Sequence, residues 1–103
     1  MNTITEQVKA ALDGLGSTAR QIATTLANKG IKGLRSDPER CAITVYLNQQ
    51  FPDFHIETGR FHTNVWTNEG AQTVYFNQEQ QYFVFGFDQG AYPDLMLPER
   101  PLF

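Results

Sequence analysis

Residues 36–51, SDPERCAITVYLNQQF, lie where the helical first half of the chain gives way to a β-rich second half. They contain the third predicted helix and the one cysteine of the chain. Ser36 or Asp37 can cap that helix, and Pro38 fits the first helical position, where a missing N–H costs nothing. A second proline follows the stretch directly and disfavours helical backbone before it, so the helix is predicted to end near Gln50. Apolar side chains surround more than half of this helix, which predicts a place at the centre of the core.

Two helices are predicted before this stretch. TITEQVKAALDG (residues 3–14) has apolar residues at helical spacing, threonines that can cap its start and a glycine that can end it. STARQIATTLANKGI (residues 17–31) has a clearer apolar face, with Ser17 as a possible cap and Gly30 suited to the left-handed backbone of a helix end. The helical part of the chain is therefore predicted to span residues 1–50.

Residues 53–77 have a different character. Apolar and polar side chains alternate along them, β-branched and aromatic residues are frequent, and two turns that contain glycine interrupt the pattern. This pattern predicts a three-stranded antiparallel meander, with strands at Phe54–Glu57, Phe61–Thr67 and Gln72–Phe76.

The last part of the chain, residues 78–103, carries two conflicting signals. Phenylalanines alternate over residues 83–87 as in a fourth strand, whereas Asn77 is a good N-cap and Gly90 would end a helix. A helix is favoured over the strand, because no glycine or proline after Asn77 turns the chain back as a hairpin. The prolines that follow predict an extended tail.

The expected fold class is α+β, with three N-terminal helices packed on a small three-stranded antiparallel sheet and a further helix near the C-terminus. This order of elements is winged-helix-like. The 103 residues suffice for a single domain with one core. A lone cysteine cannot form an internal disulfide, and neither a signal peptide nor an apolar run of membrane-spanning length is recognised. We therefore expect a soluble cytoplasmic protein.

Three separated motifs resemble a group of short uncharacterised proteins encoded by bacteria, particularly actinobacteria, and by their phages. The shared features are a helix ending in Gly-Ile-x-Gly (Gly30–Gly33), a helix with Cys41 and a Tyr-Leu pair (Tyr46–Leu47), and a terminal Phe-Asp-x-Gly-x-Tyr-Pro-x-Leu motif (Phe87–Leu95). The resemblance implies a helix before Phe87 and no known activity, so it adds no functional residue.

The net charge of −3 is unevenly distributed along the chain. Residues 1–50 carry six basic and four acidic side chains, whereas residues 51–103 carry two basic and seven acidic ones. Half of the basic side chains fall within residues 29–40. Such a group is suited to nucleic-acid phosphates, but it is also typical of a solvated loop between helices.

A DNA-binding or regulatory protein is the first functional hypothesis. On the third helix, Arg40, Thr44 and Asn48 form an i, i+4, i+8 stripe of residue types that suit base edges or phosphates. The full set of candidate nucleic-acid contacts is Lys32, Arg35, Arg40, Thr44, Asn48 and Arg60. Three observations weigh against this hypothesis. The isoelectric point of about 5.2 is low for a DNA binder, and the connection from Lys29 to Asp37 is longer than the turn of a simple helix-turn-helix. The third helix is also apolar on too many sides.

The alternative hypothesis is a protein-binding inhibitor, adaptor or immunity-type protein. Trp66 shares a predicted strand face with His62 and Asn64, and Tyr92 adds an aromatic residue of a type favoured at interfaces. These four residues are the candidate protein contacts. The competing interpretation of each aromatic residue is that it fills the core.

No catalytic residue, metal site or cofactor is predicted. A Cys41–histidine pair, with His55 or His62 as the base, would suit a thiol hydrolase, but a single free cysteine is most often a small buried hydrophobe. The same three residues lack the usual spacings of a metal site, and no glycine-rich nucleotide motif is present. We therefore expect a non-enzymatic protein whose partner is DNA or another protein, without a membrane or a small-molecule substrate.

Overall fold

Four α-helices and one antiparallel sheet make up the computed structural model, which describes residues 3–97. In chain order the elements are α1 (Ile4–Asp13), α2 (Ala19–Asn28), α3 (Ala42–Gln50), β1 (His55–Thr58), β2 (His62–Thr67), β3 (Gly70–Tyr75), α4 (Gln78–Asp88) and a 3-10 turn at Pro93–Leu95. This confirms the predicted α+β class, with three helices before the sheet and one after it. The end of the predicted tail lies outside the described residues.

Polar side chains cap three of the helices. Thr3 accepts a hydrogen bond from the Glu6 backbone N–H at the start of α1. Thr18 caps α2 by accepting from Gln21, so the prediction of Ser17 as the cap is wrong. Asn77 forms a capping box with Gln80 at the start of α4, which decides the ambiguous segment in favour of a helix.

The start of α3 differs from the prediction. The helix begins at Ala42 with Cys41 as its N-cap, because residues 37–41 form a separate turn in which the Cys41 backbone N–H donates to the Asp37 carbonyl at 2.8 Å. The Arg40 carbonyl, which would accept an intrahelical bond, instead accepts from the Leu34 backbone N–H at 2.7 Å. The turn at residues 37–41 therefore keeps its own first i→i−4 hydrogen bond but does not continue into α3, because the Pro38 carbonyl accepts from the Thr58 backbone N–H and the Arg40 carbonyl from Leu34.

The sheet has the strand order β1-β2-β3, and both pairs of neighbouring strands are antiparallel. Helices α1 and α3 pack on its inner face against β3 and β1, while α2 packs against α4. Helix α3 has five buried residues, which agrees with its predicted place in the core: Ala42, Ile43, Thr44, Tyr46 and Leu47. No helix within residues 3–97 is long and apolar enough to span a membrane.

A row of buried threonine hydroxyls joins α3 to the sheet. The Thr44 hydroxyl donates to the Pro38 carbonyl oxygen at 2.6 Å and lies 2.7 Å from the Thr58 hydroxyl. The Thr58 hydroxyl lies 3.2 Å from that of Thr63, which donates to the Glu57 carbonyl oxygen. The turn before α3, the helix and two strands are therefore held together by one hydrogen-bonded row.

Thr44→Val tests this row. Valine has almost the same shape but removes the hydroxyl, so the free energy of unfolding is expected to fall by about 1–2 kcal/mol. The measurement is urea unfolding followed by circular dichroism. Thr24→Val, at an exposed position of α2, is the matched control and should leave the midpoint unchanged. Equal midpoints for both variants would contradict a stabilising role of the row.

Candidate functional site

The outer face of the sheet is open to solvent. Alternate residues of the strands point away from α1 and α3, and this places Trp66 and Tyr75 on the outer face, 38% and 74% exposed. The other residues of this face are mostly polar: His55, Glu57, His62, Asn64, Ala71 and Thr73. Tryptophan and tyrosine are residue types enriched at protein interfaces.

Cross-strand pairs order the side chains of this face. The rings of His55 and Trp66 lie 5.1 Å apart between centroids, and at the other end of β2 the rings of His62 and Tyr75 lie 6.0 Å apart. Between these pairs, the hydroxyl of Thr73 donates to the side-chain carbonyl of Asn64 at 2.7 Å. The outer face therefore has an aromatic pair at each end and a polar row in the middle.

Three further aromatic side chains are exposed outside the strands. Phe61 precedes β2 and is 55% exposed, and the neighbouring Arg60 guanidinium lies 5.1 Å from the centroid of the Phe85 ring on α4. Tyr82 is also exposed on that helix. We call Phe61, Trp66, Tyr75, Tyr82 and Phe85 the aromatic surface. They are five of the six large apolar side chains that are exposed within residues 3–97, the sixth being Leu97.

The structure places three of the four candidate protein contacts together and separates the fourth. Trp66, His62 and Asn64 share the outer face of β2, as predicted. Tyr92 does not lie with them: it is half-buried, its ring stacks on Phe83 at 5.1 Å between centroids, and it borders a groove lined by α2. Tyr92 is thus mainly a packing residue, which corrects its assignment to the contact set.

The sequence also indicated Tyr75 and Tyr82 as interface residue types, but of the aromatic surface the candidate contact set contained only Trp66. Phe61 and Tyr75 lie at strand ends, where the direction of a side chain depends on the register of the sheet. Tyr82 and Phe85 belong to the segment whose type the sequence left open, and only its helical form places them on the exposed side of α4.

The polar stripe predicted for α3 is not a surface. Thr44 is buried, which corrects its assignment as a nucleic-acid contact. Arg40 lies before the first residue of the helix, so Asn48 is the one exposed member of the stripe that α3 itself carries. A helix that enters the major groove needs a broad exposed polar face, and α3 has none.

The remaining candidate cations lie at different parts of the fold. Lys32 donates to the Asp94 carbonyl oxygen at 2.8 Å, near the 3-10 turn. Arg35 lies beside Gly90, at the end of α4. Arg60 lies over Phe85, at the edge of the aromatic surface. Each of the three therefore has a structural contact of its own.

Cys41 and the histidines lie on different sides of the sheet. Cys41 belongs to the buried core, and burial raises the pKa of its thiol from 9.0 to about 11. His55 and His62 lie on the outer face of the sheet. The structure therefore does not bring together the cysteine–histidine pair that a thiol hydrolase would use.

No protein-family model, curated protein or solved structure matches this chain. Its function is therefore inferred from its own surfaces.

The raised pKa of Cys41 predicts slow thiol chemistry in the folded protein. At a pH below both values, a rise in the pKa from 9.0 to about 11 lowers the thiolate fraction about 100-fold. Burial also keeps a labelling reagent away from the sulfur. Labelling with a chromogenic disulfide is expected to be at least about 100-fold slower in native buffer than in urea, where the chain is unfolded. Labelling at the same rate in both conditions would show that the thiol is exposed in solution.

Proposed function

We propose that this domain is a non-enzymatic protein-binding module that holds its partner on the outer face of the sheet, as an inhibitor, adaptor or immunity-type protein would. The observation that carries the proposal is the exposure of Trp66 and Tyr75 on an ordered, solvent-facing sheet surface. Tryptophan and tyrosine supply most of the binding energy at many protein interfaces, because they bury a large area at a small cost in side-chain entropy.

The sheet face alone is smaller than a standard protein interface. The strands, of four, six and six residues, cover at most roughly 20 Å by 14 Å, which is well below the roughly 800 Å² that each partner buries in a standard interface. Phe61, Tyr82 and Phe85 provide further exposed apolar area outside the strands. The whole aromatic surface is therefore the expected footprint, with Trp66 and Tyr75 as its anchors.

The charges around Trp66 favour a basic partner. Glu57 lies on the same face, Glu39 approaches Glu57 to within 4.8 Å, and Glu69 lies in the turn after β2. A lysine or arginine of the partner would gain from these carboxylates and from stacking on the indole ring. A second copy of this chain fits less well, because two copies would bring like charges together.

DNA binding has weaker support from the geometry than it had from the sequence. The stripe on α3 is interrupted because Thr44 is buried in the core, and the net charge of −3 opposes the approach of a phosphate backbone. Arg40 and Arg60 are exposed cations that could contact phosphates, so duplex DNA binding is included in the tests below.

Trp66→Ala is the decisive variant. After affinity purification has identified a partner, its purified form is expected to bind Trp66→Ala at least about 30-fold more weakly than the natural chain, as expected for the loss of a central aromatic anchor. Calorimetry or biolayer interferometry measures the change. Leu97→Ala is the matched control, because Leu97 is 40% exposed, close to the 38% of Trp66, but lies outside the aromatic surface.

Two results would contradict the proposal. One is a partner that binds Trp66→Ala and Tyr75→Ala as tightly as the natural chain. The other is salt-sensitive binding of duplex DNA that Arg60→Ala weakens and Trp66→Ala does not, since contacts to phosphates depend on cations rather than on the sheet face.

A further inference from the structure

Three side chains with metal-ligand atoms converge where β1 meets the turn before α3. The nearest ligand atoms of Glu39, His55 and Glu57 all lie within 4.8 Å of one another. Two of these atoms, His55 Nε2 and Glu57 Oε2, are 2.7 Å apart. This arrangement places one imidazole and two carboxylates around a common centre at the surface.

Backbone structure holds the three residues in place. His55 and Glu57 are two residues apart on β1, so the pleat directs both side chains to the outer face. Glu39 belongs to the turn at residues 37–41, and its backbone N–H donates to the Asp37 carboxylate at 3.0 Å. The Pro38 carbonyl accepts from the Thr58 backbone N–H at 2.8 Å, which fastens this turn to β1.

The chemistry of the donors indicates the kind of ion. Imidazole nitrogen with carboxylate oxygen suits zinc and neighbouring divalent transition metals, whereas magnesium and calcium prefer all-oxygen sites. Tetrahedral zinc with bonds of about 2.0–2.1 Å places its ligand atoms about 3.3 Å apart. The present separations, from 2.7 Å to at most 4.8 Å, bracket that value. Small rotations of these solvent-accessible side chains would therefore complete the geometry.

We propose that Glu39, His55 and Glu57 bind a divalent transition-metal ion, with zinc as the expected ion. The two carboxylates balance the 2+ charge of the ion, and the ion in turn offsets the repulsion between the two carboxylates. Three protein ligands leave a fourth position for water or for a group of another molecule. The site does not depend on the proposed protein-binding function, because its test uses the metal alone.

Titration calorimetry with zinc chloride measures the site directly. One zinc ion per chain is expected to bind, and Glu39→Gln should weaken binding at least about tenfold, because the amide is uncharged but has the size of the carboxylate. His55→Ala should abolish binding at this site. His62→Ala is the matched control, since His62 lies on the same sheet face beside Tyr75, and it should bind zinc as the natural chain does.

Tryptophan fluorescence gives a second readout that reports position. Trp66 is the one tryptophan in the chain, and its ring lies 5.1 Å from that of His55, so nickel or copper at the site should quench its emission. The quenching is expected to saturate in the natural chain and in His62→Ala, and to be lost in His55→Ala. No zinc binding by the natural chain, undiminished binding by Glu39→Gln, or saturable quenching in His55→Ala would each overturn the proposal.

Discussion

The Pro38 carbonyl oxygen makes the contacts on which much of the remaining arrangement depends. It accepts from the Thr58 backbone N–H at 2.8 Å and from the Thr44 hydroxyl at 2.6 Å, so a single acceptor joins the turn before α3 to both the helix and the sheet. Because this carbonyl is engaged by β1, the helix starts at Ala42 and not at the proline. The same contact brings Glu39 beside His55.

The position of α3 also explains why the outer face of the sheet is free. Helices α1 and α3 cover the inner face, where Ile56 and Val65 are buried, and the register of the strands then directs Trp66 outward. A slip of one residue in β2 would exchange the two faces and bury the tryptophan in place of Val65. The register therefore stabilises the core and, by the same pairing, displays the aromatic side chains that we propose for binding.

Local signals were sufficient for the three N-terminal helices and the three strands, whereas for residues 78–88 they favoured a helix without excluding a strand. Caps and apolar spacing predicted the three N-terminal helices, and alternation predicted the three strands to within about two residues. The same signals predicted that His62, Asn64 and Trp66 share a face, because a strand alternates regardless of its surroundings. They misplaced Thr44 and Tyr92. A polar or amphipathic side chain can either face solvent or form its hydrogen bonds and packing contacts inside the protein, and composition does not distinguish these two positions.

The sequence alone determined the three N-terminal helices and the three strands, because capping hydrogen bonds and side-chain periodicity act between residues close in the chain. The tertiary structure decided where α3 begins, which aromatic side chains remain exposed, and that Glu39 lies beside His55 and Glu57. Each of these depends on contacts between residues far apart in the chain, such as the hydrogen bond from Thr58 to Pro38. Local pattern has no information about such contacts, since they form only when the helices and the sheet pack together.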